Sequence, residues 1–271
     1  MPGPSFRRRG RISLTRAFLL LLGCALSLVF TQPRWQQWTV DPTLARAQSV
    51  LWVTAHPDDE SFFFAPTILN LAAPLSTTQR SLLCLSIGDY EGAGNVRRGE
   101  LHSSCAVLGI AEKRCCSIHD PSLPDDPLAE WDRETVFKVV EEYAIKWNAD
   151  AIVTFDGYGV SGHSNHRALY TALAHARRSE SLSIPVYAIR SSNTLAKYSS
   201  LVLLPFALIK HSLVAILGPS TTSSSLFVSS FESFRRARES FAAHESQSRW
   251  FRTLFVATSR YLWYVQVDEI L

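Results

Sequence analysis

Short apolar runs alternate with amphipathic stretches through the middle of the chain, and this alternation is the main indicator of its fold. Five runs rich in β-branched and large apolar residues predict buried strands, at residues 50–54, 82–86, 115–118, 151–155 and 186–189. The stretches between them predict helices, at residues 61–72, 97–108, 133–147 and from Ser164 onward. Such alternation indicates an α/β fold, here a Rossmann-like, doubly wound and mostly parallel sheet with helices on both faces.

The pattern changes after the fifth predicted strand. Residues 201–217 are almost wholly apolar, but Pro205, Lys210 and His211 interrupt them and disfavour a second transmembrane helix. Two interpretations stay open for this segment: a buried core element, or a hydrophobic flap in the bilayer interface beside the functional site. Residues 231–260 predict two amphipathic helices, whose arginines face either anionic headgroups or water.

The N-terminus carries a membrane-like segment. Five arginines between residues 7 and 16 precede an uncharged run of 14 residues, 17–30. A helix needs about 20 residues to span a bilayer, so the run fits a signal-peptide core, a short signal anchor or an interfacial segment, and we expect a retained anchor. The predicted organisation is a basic tail (1–16), a membrane anchor (17–31), a linker (32–49) and one catalytic domain (50–271).

Composition and charge narrow the class of protein. The chain has 271 residues, of which 46% are hydrophobic. This is enough for the core of one α/β domain of roughly 220 residues. The net charge is +3, but the first 34 residues hold six arginines and no acid, so the remainder has a net charge of −3. A negatively charged domain gives no support for nucleic-acid binding.

A polar cluster follows the first predicted strand. Residues 55–60 read Ala-His-Pro-Asp-Asp-Glu and place one imidazole and three carboxylates at the carboxyl edge of the sheet, where open α/β sheets bind ligands. Proline followed by acids is also an ordinary helix N-terminus. That interpretation leaves His56 unexplained, whereas a divalent metal with a nearby general base uses all of these groups.

A second cluster, Gly-His-Ser-Asn-His at residues 162–166, follows the fourth predicted strand. His163 and His166 share one side of a helical turn, although such a pair is more often solvated than bound to metal. In a sheet of order 3-2-1-4-5 the first and fourth strands are neighbours at the topological switch point. We therefore expect the two clusters to meet and to form a site for metal-assisted hydrolysis.

These motifs resemble those of the LmbE-like zinc-dependent deacetylases, and within that superfamily the chain is most similar to the PIG-L class of N-acetylglucosaminyl-phosphatidylinositol de-N-acetylases. The similarity spans residues 51–261 and includes the segments 63–67, 107–110, 124–127, 153–156, 159–166, 244–247, 250–252 and 259–261. It implies hydrolysis of the N-acetyl group of a glycolipid, N-acetylglucosaminyl-phosphatidylinositol, early in the synthesis of glycosylphosphatidylinositol (GPI) anchors. Two rivals stay open: a deacetylase of another N-acetylglucosamine conjugate, and a non-catalytic, membrane-tethered sugar-binding protein.

The resemblance also implies roles for individual residues. His56, Asp59 and His166 are the expected metal ligands, with a position left for water. Two imidazoles and one carboxylate suit Zn²⁺, which lowers the pKa of bound water to about 7, and Fe²⁺ accepts the same set. Asp58 is then the general base, and His163, if protonated, stabilises the oxyanion and helps the amine to leave.

Other assignments keep an alternative beside the functional one. Asp156 orients the catalytic histidine or caps the strand end. Arg97 binds the phosphoinositol part of the substrate or pairs with Glu100 on its own helix. Asp120 hydrogen-bonds sugar or inositol hydroxyls, or only shapes the turn that follows it. The histidine and glutamine of segment 244–247 receive no role.

The side of the membrane is predicted from opposing signals. The N-terminal arginines favour a domain across the membrane from the cytosol, whereas the resemblance implies the cytosolic face of the endoplasmic reticulum. The chain has no Asn-x-Ser/Thr sequon, and its five cysteines are odd in number, with Cys115 and Cys116 adjacent. We expect the cytosolic face, a glycolipid substrate and a membrane partner, with no nucleic acid and with protein partners left open.

Overall fold

The structure is a computed structural model that describes residues 13–71, 78–217 and 223–271. The strands are β1 Ser49–Thr54, β2 Gln79–Cys84, β3 Cys115–Ser117, β4 Ala151–Phe155, β5 Val186–Ile189, β6 Ser224–Val228 and β7 Tyr264–Glu269. They form one sheet of order β3-β2-β1-β4-β5-β7-β6. The first five strands pair in parallel, and β7 pairs antiparallel with β5 and β6. The predicted order 3-2-1-4-5 is therefore confirmed.

Helices connect the strands and cover the sheet. They are α1 Leu14–Trp35, α2 Pro42–Arg46, α3 Ala65–Leu71, α4 Gly94–Leu108, α5 Arg133–Lys146, α6 Gly159–Gly162, α7 Ser164–Arg178, α8 Thr194–Lys197, α9 Leu204–Leu217, α10 Phe231–Ala242 and α11 Trp250–Thr258. They fall into two groups, because α5 packs against α7, whereas α10 packs against α3 and α4. This arrangement agrees with the predicted doubly wound fold.

Two features of the sheet region differ from the sequence pattern. The pattern does not predict β6 and β7, because β6 begins with two serines and β7 includes Gln266 and Asp268. Antiparallel strands tolerate such polar positions, whereas parallel strands buried on both faces do not. In addition, the helix predicted at 61–72 begins as a π-helical turn, Glu60–Phe64, that leads directly into α3, and residue 72 lies outside the described part.

α1 is longer than the predicted anchor. Within the described ranges, residues Leu14–Trp38 are the one stretch of helix long and apolar enough to cross a membrane. Its buried residues Ala25 and Val29 pack in one cluster with Leu204 of α9, whereas Phe30 is 78% exposed. α1 thus offers an apolar outer face while its inner face is attached to the domain.

Residues 32–49, predicted as a linker, are folded against the domain. The side chain of Gln36 donates a hydrogen bond to the carbonyl of Leu226 and accepts one from the N–H of Val228. Asp41 caps α2 and also accepts a hydrogen bond from the hydroxyl of Tyr187. The segment therefore ties α1 firmly to the antiparallel edge of the sheet.

The structure tests one of the two interpretations of residues 201–217, the buried core element. Within α9 the buried residues are Leu204, Pro205 and His211. The outer face is exposed, with Phe206 at 53% and Leu217 at 78%. A buried core element is therefore the wrong interpretation for most of this helix. The two helices predicted over residues 231–260 are confirmed as α10 and α11.

Two of the five cysteines are paired. Cys105 forms a disulfide with Cys115, and the described free cysteines are Cys24, Cys84 and Cys116. The adjacent Cys115 and Cys116 do not pair with each other. Because one disulfide is present, the cysteine count no longer argues for a reducing compartment.

Candidate active site

The pairing of β1 with β4 brings the two polar clusters together. Residues 50–52 of β1 pair with residues 151–153 of β4, so both strands end at the same edge of the sheet. The first cluster occupies the turn after β1, and the second forms the start of α7 after β4. This edge is where open α/β sheets place their ligands.

Three predicted metal ligands converge on one point. His166 Nε2 lies 3.2 Å from Asp59 Oδ1 and 3.3 Å from His56 Nδ1. His56 Nδ1 lies 3.8 Å from Asp59 Oδ2. The ligand atoms of a tetrahedral zinc site with bonds of 2.0–2.1 Å are about 3.3 Å apart. The three buried side chains therefore fit one metal ion without a large rearrangement.

Hydrogen bonds aim two of these ligands inward. Asp59 Oδ2 accepts from the N–H groups of Ala55 at 3.0 Å and His56 at 2.9 Å, which leaves Oδ1 to face His166. His166 Nδ1 lies 3.0 Å from the carbonyl oxygen of Gly159. Nδ1 must be the donor in that contact, so Nε2 of the neutral ring is free to bind a metal. Burial opposes ionisation of Asp59, but His166 outweighs it and lowers the pKa of Asp59.

Asp125 orients the third ligand. Its Oδ1 lies 3.2 Å from His56 Nε2, on the opposite side of the ring from Nδ1. A carboxylate behind a ligating imidazole fixes the ring and increases its basicity. Burial disfavours the charged imidazole, but Asp125 and Asp59 outweigh it and raise the pKa of His56. The family resemblance includes segment 124–127 but assigns Asp125 no role.

His163 is a third imidazole of the cluster. The ligand atoms of His56, His163 and His166 lie within 4.8 Å of one another. His163 Nδ1 accepts a hydrogen bond from the N–H of Asn165 at 3.3 Å, so the neutral ring carries its proton on Nε2. Burial and the imidazoles of His56 and His166 lower the pKa of His163 to about 4. The lowered pKa favours the neutral ring, in which Nε2–H is the donor, whereas the prediction uses the protonated ring.

Asp58 occupies the most strained position of the first cluster. Its φ is 116°, in a region that residues other than glycine rarely adopt. Its carboxylate lies 2.5 Å from Arg252 Nη1 and 3.7 Å from Arg97 Nη2. Burial raises the pKa of Asp58 in spite of these two guanidinium groups. The carboxylate is consequently a stronger base than an exposed aspartate.

A buried pair of side chains, His244 and Glu60, supports this strained turn. His244 Nε2 lies 2.6 Å from Glu60 Oε1, and both side chains are fully buried. The hydroxyls of Ser61 and Ser104 donate to the same carboxylate at 2.8 and 2.5 Å. Glu60 Oε2 accepts from the N–H of Asp58 at 3.0 Å. His244, to which the sequence assigns no role, thus connects the segment after α10 to the turn that holds Asp58.

Arg97 is bound mainly by the protein itself. Its guanidinium donates to the carbonyls of Pro57 at 2.7 Å and Gly88 at 3.0 Å. The alternative pairing with Glu100 is not observed, because Glu100 accepts hydrogen bonds from Ser246 instead. Arg97 still borders the cavity described below, but its donors primarily hold the backbone next to Asp58.

Asp120 and Asp156 have structural contacts that differ from their predicted functional ones. Asp120 accepts hydrogen bonds from the N–H and hydroxyl of Ser122, and it lies outside the cavity that contains the metal ligands. It shapes its own turn, and we do not retain the predicted sugar contact. Asp156 accepts from the N–H and hydroxyl of Ser191, so it caps the strand end and does not orient His163.

A cavity of about 600 Å³ opens over the ligand set. Besides the metal ligands, its lining includes residues of α8 and α11 and the residue after α8, namely Lys197, Tyr198, Trp250, Phe251, Arg252, Leu254 and Phe255. The sequence pattern does not single out Lys197, because one basic residue in a four-residue helix has no characteristic spacing. The resemblance pointed to segment 250–252 without giving Arg252 a partner.

Comparison with solved structures identifies the class of fold. N,N'-diacetylchitobiose deacetylase from Pyrococcus horikoshii matches with a TM-score of 0.51 and 16% identity, over 91% of this chain and 86% of that chain. The zinc-inhibited form of teicoplanin deacetylase Orf2 matches with a TM-score of 0.54 and 13% identity, over 82% and 98%. At such identities the likeness shows the fold alone, an α/β fold that these deacetylases share.

Sequence comparison identifies the family. The family model described as PIG-L, GlcNAc-PI de-N-acetylase, matches residues 51–177. The N-acetylglucosaminyl-phosphatidylinositol de-N-acetylase of Bos taurus is 39% identical over 214 residues, 78% of this chain and 79% of the relative. A probable enzyme of the same name from Schizosaccharomyces pombe is 33% identical over 216 residues, 79% and 84%. The chain therefore belongs to the PIG-L family of GlcNAc-PI de-N-acetylases, as its motifs predict.

Proposed function

We propose that this protein removes the N-acetyl group from N-acetylglucosaminyl-phosphatidylinositol and gives acetate and glucosaminyl-phosphatidylinositol, an early step of GPI-anchor synthesis. Family membership supports the substrate, because the bovine and fission-yeast relatives are named for it. The observation that carries the chemistry is the convergence of His56, Asp59 and His166 on one point.

His56, Asp59 and His166 are the proposed metal ligands. Two imidazole nitrogens and one carboxylate oxygen suit Zn²⁺, and Fe²⁺ accepts the same donor set. When bound, the ion supplies a Lewis acid for the acetyl carbonyl and a water of lowered pKa. The carboxylate of Asp125 and the carbonyl of Gly159 hold the two imidazoles in the required orientation.

Asp58 is the proposed general base. Its carboxylate takes a proton from the water that attacks the acetyl carbon, while the carbonyl π electrons move onto oxygen. The Nε2–H of neutral His163 donates a hydrogen bond to the resulting oxyanion. When the carbonyl re-forms, the C–N bond breaks, and protonated Asp58 returns its proton to the departing amine nitrogen. Acetate and the free amino sugar result.

Acetate release is the direct test of this proposal. Purified protein in detergent is expected to release acetate from N-acetylglucosaminyl-phosphatidylinositol, to lose this activity with a chelator, and to regain it with Zn²⁺. Asp58→Asn is expected to lose activity while it still binds metal, whereas His166→Ala is expected to lose both. As a matched control, Asp132→Asn changes an exposed helix-capping carboxylate of α5 and is expected to keep full activity.

The rival functions give different results in the same assay. A deacetylase of another N-acetylglucosamine conjugate would hydrolyse a water-soluble conjugate and leave the glycolipid intact. A non-catalytic sugar-binding protein would bind the glycolipid without acetate release, and Asp58→Asn would leave its cellular function unchanged. Either result contradicts the proposal.

We further propose that α1 and α9 attach the domain to the endoplasmic reticulum membrane, with residues 17–31 as the core of the anchor. α1 has sufficient length, and the exposed apolar face of α9 lies beside it through the cluster of Ala25, Val29 and Leu204. The cytosolic face is proposed for the domain because the family resemblance implies it.

Protease protection in sealed microsomes tests the orientation. A tag added after Leu271 is expected to be removed by protease added outside intact vesicles. A tag that is protected until detergent is added would place the domain in the lumen. A lumenal reporter protein serves as the control for vesicle integrity.

A further inference from the structure

Lys197 shares the cavity of the metal ligands but contributes to no contact described so far. It is the last residue of α8 and lines the cavity. Its Nζ lies 5.5 Å from the ring centroid of Phe255 and 6.0 Å from that of Tyr198. The ammonium group is therefore held over aromatic rings at the cavity wall, where such contacts stabilise a cation.

Lys197 differs from the other cations of this region in having no acidic partner. Arg252 is paired with Asp58, and Arg249 lies 3.7 Å from Glu91. In the parts of the chain that the structure describes, Nζ of Lys197 has no carboxylate within 4 Å and no hydrogen bond. Burial alone lowers its pKa, with no opposing contribution from an acid. The ammonium, held against these aromatic rings, is therefore free to bind an anion that enters the cavity.

The surroundings of Lys197 narrow the chemistry of that anion. A second cavity adjoins the first and shares Ser161, Lys197 and Tyr198 with it. Its remaining wall is mostly polar and includes Ser191, Ser192, Asn193 and Thr194. It also includes Asp156, whose carboxylate already accepts hydrogen bonds from the N–H and hydroxyl of Ser191. Hydroxyl and amide groups next to one ammonium suit a polyhydroxylated ligand that carries a single phosphate.

We propose that Lys197 binds the phosphodiester of the substrate and so places the inositol ring at the junction of the two cavities. The inference rests on the proposed function and names the contact that selects a phosphate-bearing substrate. Arg97, the residue predicted for this task, is less suited because its donors already hold the carbonyls of Pro57 and Gly88.

Soluble headgroup substrates test the inference without a membrane. One substrate is N-acetylglucosaminyl-inositol 1-phosphate, and the other is N-acetylglucosaminyl-inositol, which lacks the phosphate. For Lys197→Met, KM for the phosphate-bearing substrate is expected to rise about tenfold or more, with kcat within about twofold of wild type, since one charge-assisted contact is lost. Both constants for the phosphate-free substrate are expected to stay unchanged. Lys197→Arg keeps the charge and is expected to recover most of the loss.

A matched control and a second measurement separate this effect from general damage. Lys138→Met removes an exposed lysine of α5 and is expected to change neither substrate's KM. Inositol 1-phosphate is expected to inhibit the wild type competitively and to inhibit Lys197→Met at least about tenfold more weakly. Should Lys197→Met fail to fold, Lys197→Gln with the same two substrates replaces it.

The possible failures are distinguishable. If the wild type releases acetate from neither the headgroup substrates nor the glycolipid, the proposed function fails and this inference fails with it. If the wild type is active but Lys197→Met changes KM equally for both headgroup substrates, or for neither, the inference alone is overturned. Weakened binding to phosphatidylcholine and phosphatidylinositol vesicles, with unchanged KM for the soluble phosphate substrate, would assign Lys197 to bilayer phosphates and would also overturn it.

Discussion

His244 and Glu60 lie 184 positions apart in sequence, yet their side chains meet at 2.6 Å and are both fully buried. The carboxylate of Glu60 also accepts from the backbone N–H of Asp58. One buried pair therefore joins the C-terminal part of the chain to the turn that holds the proposed general base. It stabilises a backbone conformation, φ 116° at Asp58, that is unfavourable in isolation.

Loss of this pair is expected to destabilise the protein. His244→Ala leaves the carboxylate of Glu60 buried without the imidazole that donates to it. Removal of one member of a buried pair lowers the free energy of unfolding by about 3–5 kcal/mol. Because Ser61 and Ser104 still donate to Glu60, we expect the lower end, about 3 kcal/mol in the free energy of unfolding. Denaturant unfolding in detergent measures it. The exposed His175→Ala is the control, at about 0.5 kcal/mol or less; equal effects of both variants would contradict the structural role.

The same pair predicts a pH dependence of stability. Burial disfavours the charged form of His244, but Glu60 outweighs it and raises the pKa of His244 above its ordinary value of 6.5. The native state then binds more protons than the unfolded state above pH 6.5, so this contribution is complete below pH 6.5 and is lost as pH rises through the raised pKa. The decline should be smaller in His244→Gln, which keeps a donor without the charge, while His56, whose pKa is also raised, contributes equally in both proteins. Unfolding midpoints between pH 6 and 9 for both proteins check this, and parallel curves would refute it.

The parallel part of the fold could be predicted from the sequence because its strands are buried on both faces. Such strands appear as continuous apolar runs, and their order then follows from the rules for βαβ units. The antiparallel strands β6 and β7 carry no such signal, because polar residues interrupt their apolar positions, as Ser224 and Ser225 do in β6 and Gln266 and Asp268 in β7. The sequence also does not predict that residues 32–49 fold against the domain, because this depends on long-range contacts such as that of Gln36 with Leu226.

Some residues of the candidate site could likewise be predicted from the sequence, and others could not. Within each cluster the functional residues are close in sequence, and each cluster follows a strand. The local pattern therefore identifies these residues, and the order of the strands predicts that the two clusters meet. Asp125, Glu60 and Lys197 act through partners on distant elements, and no spacing in the chain indicates those contacts. Asp120 is the opposite case. The sequence suggests a substrate contact for it, but its carboxylate accepts a hydrogen bond within its own turn.

Asp125→Asn is expected to weaken metal binding. Its carboxylate lies behind His56 at 3.2 Å, and replacement of such a group typically lowers metal affinity about 10–100-fold. Zinc affinity measured by competition with a chromophoric chelator is the readout, with activity at saturating zinc expected to recover in large part. The adjacent Asp126→Asn is a close control, because Asp126 caps its own turn through Leu128 N–H and asparagine preserves that bond. A zinc affinity of Asp125→Asn equal to that of Asp126→Asn would remove Asp125 from the metal site.

Gly159→Ala is expected to disrupt the metal site from the side of α7. Gly159 has φ +66°, and a Cβ placed there would lie 2.7 Å from Cβ of His166, the ligand whose Nδ1 contacts the Gly159 carbonyl. Gly162 has a similar φ of +79°, but its Cβ would meet nothing within 4 Å. Both alanine variants should lose about 1–3 kcal/mol through backbone strain. Only Gly159→Ala should also displace His166 and therefore bind zinc more weakly. The zinc content of the two variants is measured after dialysis, at equal fractions of folded protein. A difference between them then reports the displacement of His166 and not the backbone strain that both variants share. Equal zinc content in the two variants would show that the close approach of Gly159 does not position the ligand.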